Sequence, residues 1–474
     1  MLPVAVGVVG GGLVFMLAHR ALIDDAYITI GYARTLAENG QSAMPPGPVS
    51  NTATSPLNVL LLAGLTVLTG GPVLAVGVLL VAVLGVTGAA LGAIADRFGW
   101  SPWSAPVAVG LLVVNPLLVS VIGMETHLAL GIVAVLGWTI VTGRTAATGA
   151  LCGLLVLTRA DLVAFALAAL LAVLLLSPGR RWRAGTRVVG TAVAVALPWF
   201  VASWWWLGSA VPDTLLVKMS EGMGDRTFAN GLWFFYLGYP FAVVASLVPA
   251  VVGLVVAVRA VTPRRIPATT AALVLVWGAG ALLHVGVFLL LGTAPYQWYY
   301  GPAIGALSIV AAMIAGPAAP PLRAVVPVGG AVLVGGAVLI AITAGYLALR
   351  PWTLTTISGN WAAATEFAEL AARAPEGAVV ETFGEVGTIA FFCDCTVKDR
   401  LSDRGQFAEL LAQRRAAAGP LERLLLDWNY ARFDPPPPLQ AQFEFAFAED
   451  PTGVHVTSWR AYEGQMVVRP KTGG

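Results

Sequence analysis

Residues 21–64 read ALIDDAYITIGYARTLAENGQSAMPPGPVSNTATSPLNVLLLAG. They follow an apolar run over residues 2–19, so Asp24 and Asp25 stand right at the end of a membrane helix. Ile28, Tyr32, Ala33, Leu36 and Ala37 then share one face at helical spacing, which predicts an amphipathic helix over residues 26–38. A carboxylate at a helix N-terminus favours the dipole, and one Asp can serve as the N-cap. That accounts for one member of the pair. Two adjacent carboxylates repel, which raises the pKa of one and suits it to accept a proton. Sharing a divalent metal is the other reading. The apolar run over residues 56–70 is short, and we read it as a helix lying at the membrane interface.

The surroundings of this loop are those of a membrane protein. Of 474 residues, 58% are hydrophobic and 11% charged, against about 45–50% and about 25% in soluble domains. This excludes an ordinary cytosolic globular protein, and disorder as well. A net charge of +2 gives no nucleic-acid surface, and three cysteines give neither a disulfide framework nor a zinc cluster. Nine acidic residues precede Arg350, and the other sixteen follow it. The expected organisation is a membrane domain over residues 1–350, with a first outer loop over residues 20–71, and a soluble domain over residues 351–474.

Apolar runs mark about eleven spans: residues 2–19, 72–95, 103–121, 126–142, 145–158, 162–177, 187–207, 231–258, 267–291, 299–317 and 325–348. With the N-terminus in the cytoplasm, the arginine clusters at 180–187 and 264–265 fall inside, as the positive-inside rule requires. Counting residues 56–70 as a span would invert them. In this topology eight of the nine membrane-domain carboxylates lie in outer loops, and Asp96 alone lies inside. Carboxylates beside a bilayer are costly unless paired, hydrated or used. Eight on one rim point to an outward-facing site or, more blandly, to solvated loop charges.

The acidic pair, the aromatic helix and the Thr-Ser-Pro-Leu start of the next helix occur in the order of the first periplasmic loop of the GT-C superfamily of membrane glycosyltransferases. Within it the chain most resembles actinobacterial enzymes that use polyprenyl-phosphate sugars, such as terminal arabinofuranosyltransferases. Further stretches are similar to that family. They are Gly123-Met124-Glu125-Thr126, Thr158-Arg159-Ala160-Asp161 (alanine where the family has proline), GSAVPDTLLVK over 208–218 (Asp213 where the family has asparagine) and the aromatic loop APYQWYY over 294–300. The resemblance implies a GT-C fold of about eleven transmembrane helices with a small C-terminal α/β domain. It also implies transfer of a sugar, arabinofuranose or mannose, from a polyprenyl-phosphate donor to a glycan, lipid or protein acceptor outside the cytoplasmic membrane.

Such a reaction needs a base for the acceptor hydroxyl, cations or a metal for the leaving phosphate, and a groove for the lipid. Asp24, with Asp25, is the expected base. Lys218 and Arg159 are the expected cations, with His127 as a further donor. Glu125, Asp161 and Tyr299 complete the expected substrate site, and Asp24, Asp25 and Glu125 are the oxygen ligands open to magnesium or manganese. Each has a plainer reading. Arg159 can simply pair with Asp161 or Glu125. Lys218 can snorkel to headgroups. His127 can be a core hydrogen-bonding group, Tyr299 and Tyr300 fit an interfacial belt as well, and Trp204 to Trp206 fit one best.

From about Trp352 the pattern is that of a small α/β domain. A helix is expected over residues 361–373 and strands at 378–380 and 396–399. Helices are expected over 406–418 and 421–427, and late strands at 441–446 and 453–468. No GxGxxG or P-loop is present. Cys393 and Cys395 read as reduced core thiols, with a local disulfide as the alternative. A transporter or flippase of lipid-linked sugars is the competing function. It predicts polar or broken helices at midplane and inverted repeats, and the near charge-free spans carry neither. A scaffolding membrane protein predicts no clustering of acids.

Overall fold

The computed structural model describes residues 1–20, 22–44, 47–220, 224–261, 266–318, 364–382, 384–399, 403–457 and 463–471. The expected last span (325–348), Glu221, Arg264, Arg265, Arg323, Arg350 and the start of the C-terminal region lie outside them.

The chain divides into two compact units. The first comprises Met1–His19, Gly77–Ala196 and Met223–Ile357. The second comprises Arg20–Val76, Leu197–Gly222 and Ser358–Gly474. It therefore joins the first predicted loop and the 208–218 stretch to the C-terminal region, and the expected boundary near residue 350 falls among residues not described.

Among the described residues five helices are long and apolar enough to cross a membrane: Pro72–Phe98, Arg181–Trp206, Pro240–Val261, Ala268–Leu291 and Gln297–Ala315. Six shorter apolar helices accompany them, among them Leu2–Ala18, Thr126–Val141 and Pro56–Thr69. With 14 residues, Pro56–Thr69 keeps the short length expected of it. Two predicted spans are interrupted. Residues 103–121 break at Asn115, whose Oδ1 accepts the Leu117 and Leu118 N–H groups at 3.1 and 3.3 Å while Pro116 opens the next turn. Residues 231–258 divide into Phe228–Gly238 and Pro240–Val261, because Pro240 has no N–H to continue the preceding helix and suits the start of the next.

Helices of the first unit approach closely through small residues, as in membrane bundles. A Cβ on Gly253 would lie 1.9 Å from Leu307 O, and one on Gly7 would lie 2.3 Å from Leu84 O. Within the Ala268–Leu291 helix, residues Leu275–Ala279 form a π-helical turn, and Trp277 there is fully buried and donates to Val133 O at 3.1 Å.

The second unit carries a five-stranded sheet, β1 (Val379–Glu381), β2 (Thr396–Lys398), β3 (Phe443–Phe447), β4 (Val454–Thr457) and β5 (Glu463–Pro470), in the order β2-β1-β3-β5-β4. β1 pairs in parallel with β2 and β3, and β5 is antiparallel to β3 and β4. The unit's core is shared across sequence. Tyr32, Met44 and Val59 pack with Phe367, Val380, Ile389, Cys395 and Phe445. The helix Asp24–Asn39 is thereby fixed against the short helix Gly387–Phe392. Cys393 and Cys395, expected as thiols, are joined in a disulfide buried in this core, which their one-residue spacing permits.

Candidate active site

The acidic pair lies entirely within the second unit. Asp24 begins its helix, but Ile23 occupies the N-cap position and no side chain caps that end. The Asp24 carboxylate instead accepts two distant backbone donors: Thr388 N–H to Oδ1 at 2.7 Å and Val386 N–H to Oδ2 at 3.0 Å. The capping expected at its own helix is thus replaced by a staple to residues 386–388. Gly387 makes this approach feasible, since a Cβ there would lie 2.2 Å from Asp24 O. Burial raises the Asp24 pKa above its ordinary 3.8, the Thr388 N–H offsets part of the rise, and the neighbouring Asp25 charge adds to it.

Asp25 meets Lys218 across 193 residues of sequence, with Nζ to Oδ1 at 3.3 Å. Lys218 lies on the helix Thr214–Ser220, and a polar network delivers that helix. Asn51 Nδ2 donates to Ser209 O at 2.8 Å and Asp213 N–H donates to Asn51 O at 2.8 Å. Thr214 Oγ1 donates to Thr52 O at 2.5 Å. Tyr32 joins its hydroxyl to those of Ser50 and Thr52. The loop 207–214 is in this way bound to the segment 50–52.

Asp213 forms a buried ion pair with Arg404, Nε to Oδ2 at 3.0 Å, while Ser209 Oγ donates to its other oxygen at 3.0 Å. Arg404 also donates to Leu207 O at 2.7 Å and stacks on Phe433. The carboxylate that stands where the family has asparagine is therefore matched by a cation from the C-terminal region. Sequence reasoning missed Arg404, Asn51, Ser50 and Thr52. The segment 50–52 sits inside a quoted motif, but no local pattern marks Arg404.

Burial pushes the Asp213 carboxyl up to about 6, against the pull of Arg404 and Ser209. Between about pH 4 and 6 the unfolded chain has released this proton and the folded chain has not, so this group lowers stability as pH rises through that window and adds no slope above it. Asp213→Asn is expected to remove that step in melting temperature measured from pH 4 to 8, and to be less stable than the wild type above pH 6, because it leaves the Arg404 guanidinium buried without a carboxylate. An unchanged step would assign it to another group.

The remaining predicted residues gather in the first unit. Arg159 donates from Nη1 to Glu125 at 2.8 Å and from Nε to Asp161 at 2.9 Å, and its guanidinium lies 4.9 Å from the Tyr299 ring centroid. Asp161 Oδ2 lies 3.4 Å from His284 Nδ1, and His284 Nε2 lies 3.1 Å from Tyr299 O. His284 thus belongs to the cluster. Glu125 and Arg159 are buried. Tyr299 and Tyr300 are buried too, the latter stacked on Phe228, so neither belongs to a lipid-facing belt. His127 is buried on Thr126–Val141, and its Nδ1 finds no hydrogen-bond partner among the described residues. The eight predicted residues thus form two constellations, Asp24, Asp25 and Lys218 in one unit and Glu125, Arg159, Asp161 and Tyr299 in the other, with His127 buried near the start of the helix that follows Glu125.

Among the described residues the Asp24–Asp25 pair has no third His, Cys, Asp or Glu to complete a magnesium or manganese site, and Asp25 already meets an ammonium. Among the described residues no three His, Cys, Asp or Glu side chains converge on a metal position.

No family model matches the chain, and no curated protein matches it in sequence. Solved structures do. ArnT from Cupriavidus metallidurans in the apo state superposes with a TM-score of 0.57 at 14% identity, over 96% of this chain and 95% of that one. The same protein bound to undecaprenyl phosphate superposes with a TM-score of 0.56 at 15% identity, over 98% and 97%. The match runs nearly end to end in both chains, so the likeness includes the C-terminal region as well as the helices. This chain therefore shares the GT-C fold of that structure, with several helices long and apolar enough to cross a membrane.

Proposed function

We propose that the protein is an integral-membrane glycosyltransferase. It moves a sugar, arabinofuranose or mannose, from a polyprenyl-phosphate donor to a cell-envelope acceptor, with its site and sheet region facing outside the cytoplasmic membrane. The observation that carries this reading is the meeting of Asp24, Asp25 and Lys218 at the start of the Asp24–Asn39 helix. The polyprenyl-phosphate donor class is supported by the likeness to ArnT, which has been captured with undecaprenyl phosphate.

In this reading Asp24 takes the proton of the acceptor hydroxyl as its oxygen attacks the anomeric carbon, and the C–O bond to the lipid phosphate breaks. The backbone N–H groups of Val386 and Thr388 hold the carboxylate in one orientation. The raised pKa of Asp24 suits a base working nearer neutrality. Lys218, positioned by Asp25, meets the charge of the departing phosphate. Arg159 is the second expected cation, but its partners already satisfy it within a buried cluster.

Purified protein incubated with a synthetic polyprenyl-phosphate sugar and candidate acceptors tests the reading, and a sugar-linked product is expected. Movement of intact lipid-linked sugar across vesicles with no transfer would instead mean a flippase. Lys218→Ala is expected to lower turnover by about 10²–10³, the loss typical of one charged donor to a leaving oxyanion. Arg226→Ala, at an exposed residue stacked on Phe234, is expected to change it little. Small and equal losses in both would remove Lys218 from the phosphate site.

A further inference from the structure

In the second unit the helix Pro420–Asn429 has the sequence PLERLLLDWN. Leu421, Leu424, Leu425 and Trp428 fall at i, i+3, i+4 and i+7 and form one stripe. In a soluble domain such a stripe faces the core. Here the four side chains are 70, 64, 58 and 62% exposed. Leu426 instead packs inward, against the cluster of Leu216, Phe407, Leu411 and Tyr430. The helix's two carboxylates are drawn to its neighbour: Glu422 pairs with Arg414 at 2.6 Å and Asp427 with Arg415 at 3.1 Å. The face turned outward is therefore apolar, and its acids are already neutralised.

The stripe runs on into a membrane-crossing helix. The Trp204 ring stacks on Trp428 with centroids 6.1 Å apart, and Trp204 Nε1 donates to Trp428 O at 3.0 Å. Trp204 to Trp206 end the Arg181–Trp206 span, and Trp205 and Trp206 are exposed. The Arg432 guanidinium lies 3.8 Å from the Trp205 ring centroid. Tryptophan and arginine at the end of a span are the composition of the membrane–water interface.

We propose that Pro420–Asn429 is a membrane-surface anchor. Its Leu421, Leu424, Leu425 and Trp428 side chains enter the headgroup–acyl boundary of the leaflet in which the Arg181–Trp206 helix ends, and the exposed Arg423 and Arg432 meet anionic headgroups. Lipid is the occupant because the stripe is continuous with the tryptophans of a lipid-embedded helix and carries arginine beside them. The anchor stands independently of the proposed transfer reaction.

The test uses the full chain in nanodiscs containing phosphatidylglycerol, one copy per disc. A Leu424→Cys variant labelled with an environment-sensitive fluorophore gives a selective signal, since Cys152 is buried and Cys393 and Cys395 are bonded. Lipid carrying a nitroxide just below the headgroup is expected to quench the label. Aqueous iodide is expected to quench it several-fold less than a label placed at the exposed Gln413. In the unmodified protein, a photoactivatable phosphatidylglycerol is expected to cross-link to peptides covering 420–429. Full iodide access with no nitroxide quenching would overturn the anchor. So would cross-links confined to the Arg181–Trp206 helix, or protection seen only in discs holding two copies, which would mean that a second chain covers the stripe.

Discussion

Asp24→Asn is expected to lower sugar transfer by about 10²–10⁴, the usual cost of losing a general base. The amide retains one oxygen, so it can accept the N–H of Thr388 or of Val386 but not both, and its NH2 group then faces the other donor. That mismatch is expected to cost about 1–3 kcal/mol of stability. Turnover and melting temperature should therefore be measured on the same preparation. A folded variant with a modestly lower melting temperature and little activity identifies the base. Wild-type turnover in a folded variant would confine Asp24 to holding residues 386–388. The acid limb of the wild-type rate profile should lie above pH 3.8, because burial raises the Asp24 pKa and the carboxylate is the active form.

Arg159→Ala is expected to have the largest effect on folding. It leaves Glu125 buried with no cation and removes the partner of Asp161 and the stacking on Tyr299. Breaking a buried pair from one side costs about 3–5 kcal/mol. Arg159→Lys should fall between the two, because an ammonium cannot reproduce the fork in which Nε meets Asp161 and Nη1 meets Glu125. Thermal exposure of the buried thiol of Cys152 to a thiol-reactive dye measures the shift. An unchanged melting temperature with a specific loss of donor affinity would return Arg159 to the phosphate-binding role expected from the sequence.

The motifs were legible because each packs several constrained residue types into a short window. Gly123 takes a left-handed φ of 94° just before Glu125, and Thr158-Arg159-x-Asp161 places a cation and its carboxylate two residues apart on one side of a helix break. These are local devices, so their letters show. Asp24 was found for its charge and its neighbour, yet its partners were not, since two backbone N–H groups some 360 residues away leave no trace in side-chain identity. Arg404 was invisible for a related reason. An arginine at the start of an amphipathic helix reads as solvated, and only its burial beside Asp213 shows otherwise.

By itself the sequence determined that this is a helical membrane protein with a sheet-bearing C-terminal region, because span length and strand alternation are set by bilayer thickness and by the two-residue pleat. It also determined which acids and cations were worth watching. The tertiary structure decided how they are grouped. Residues 20–76, 197–222 and 358–474 are separate in the chain, yet they form one compact unit. Tyr32, Met44 and Val59 lack enough apolar partners nearby in sequence and bury themselves with Phe367, Val380 and Phe445. Burial depends on three-dimensional neighbours, so the pairing of Lys218 with Asp25, and of Arg404 with Asp213, follows from that shared core and not from any spacing in the sequence.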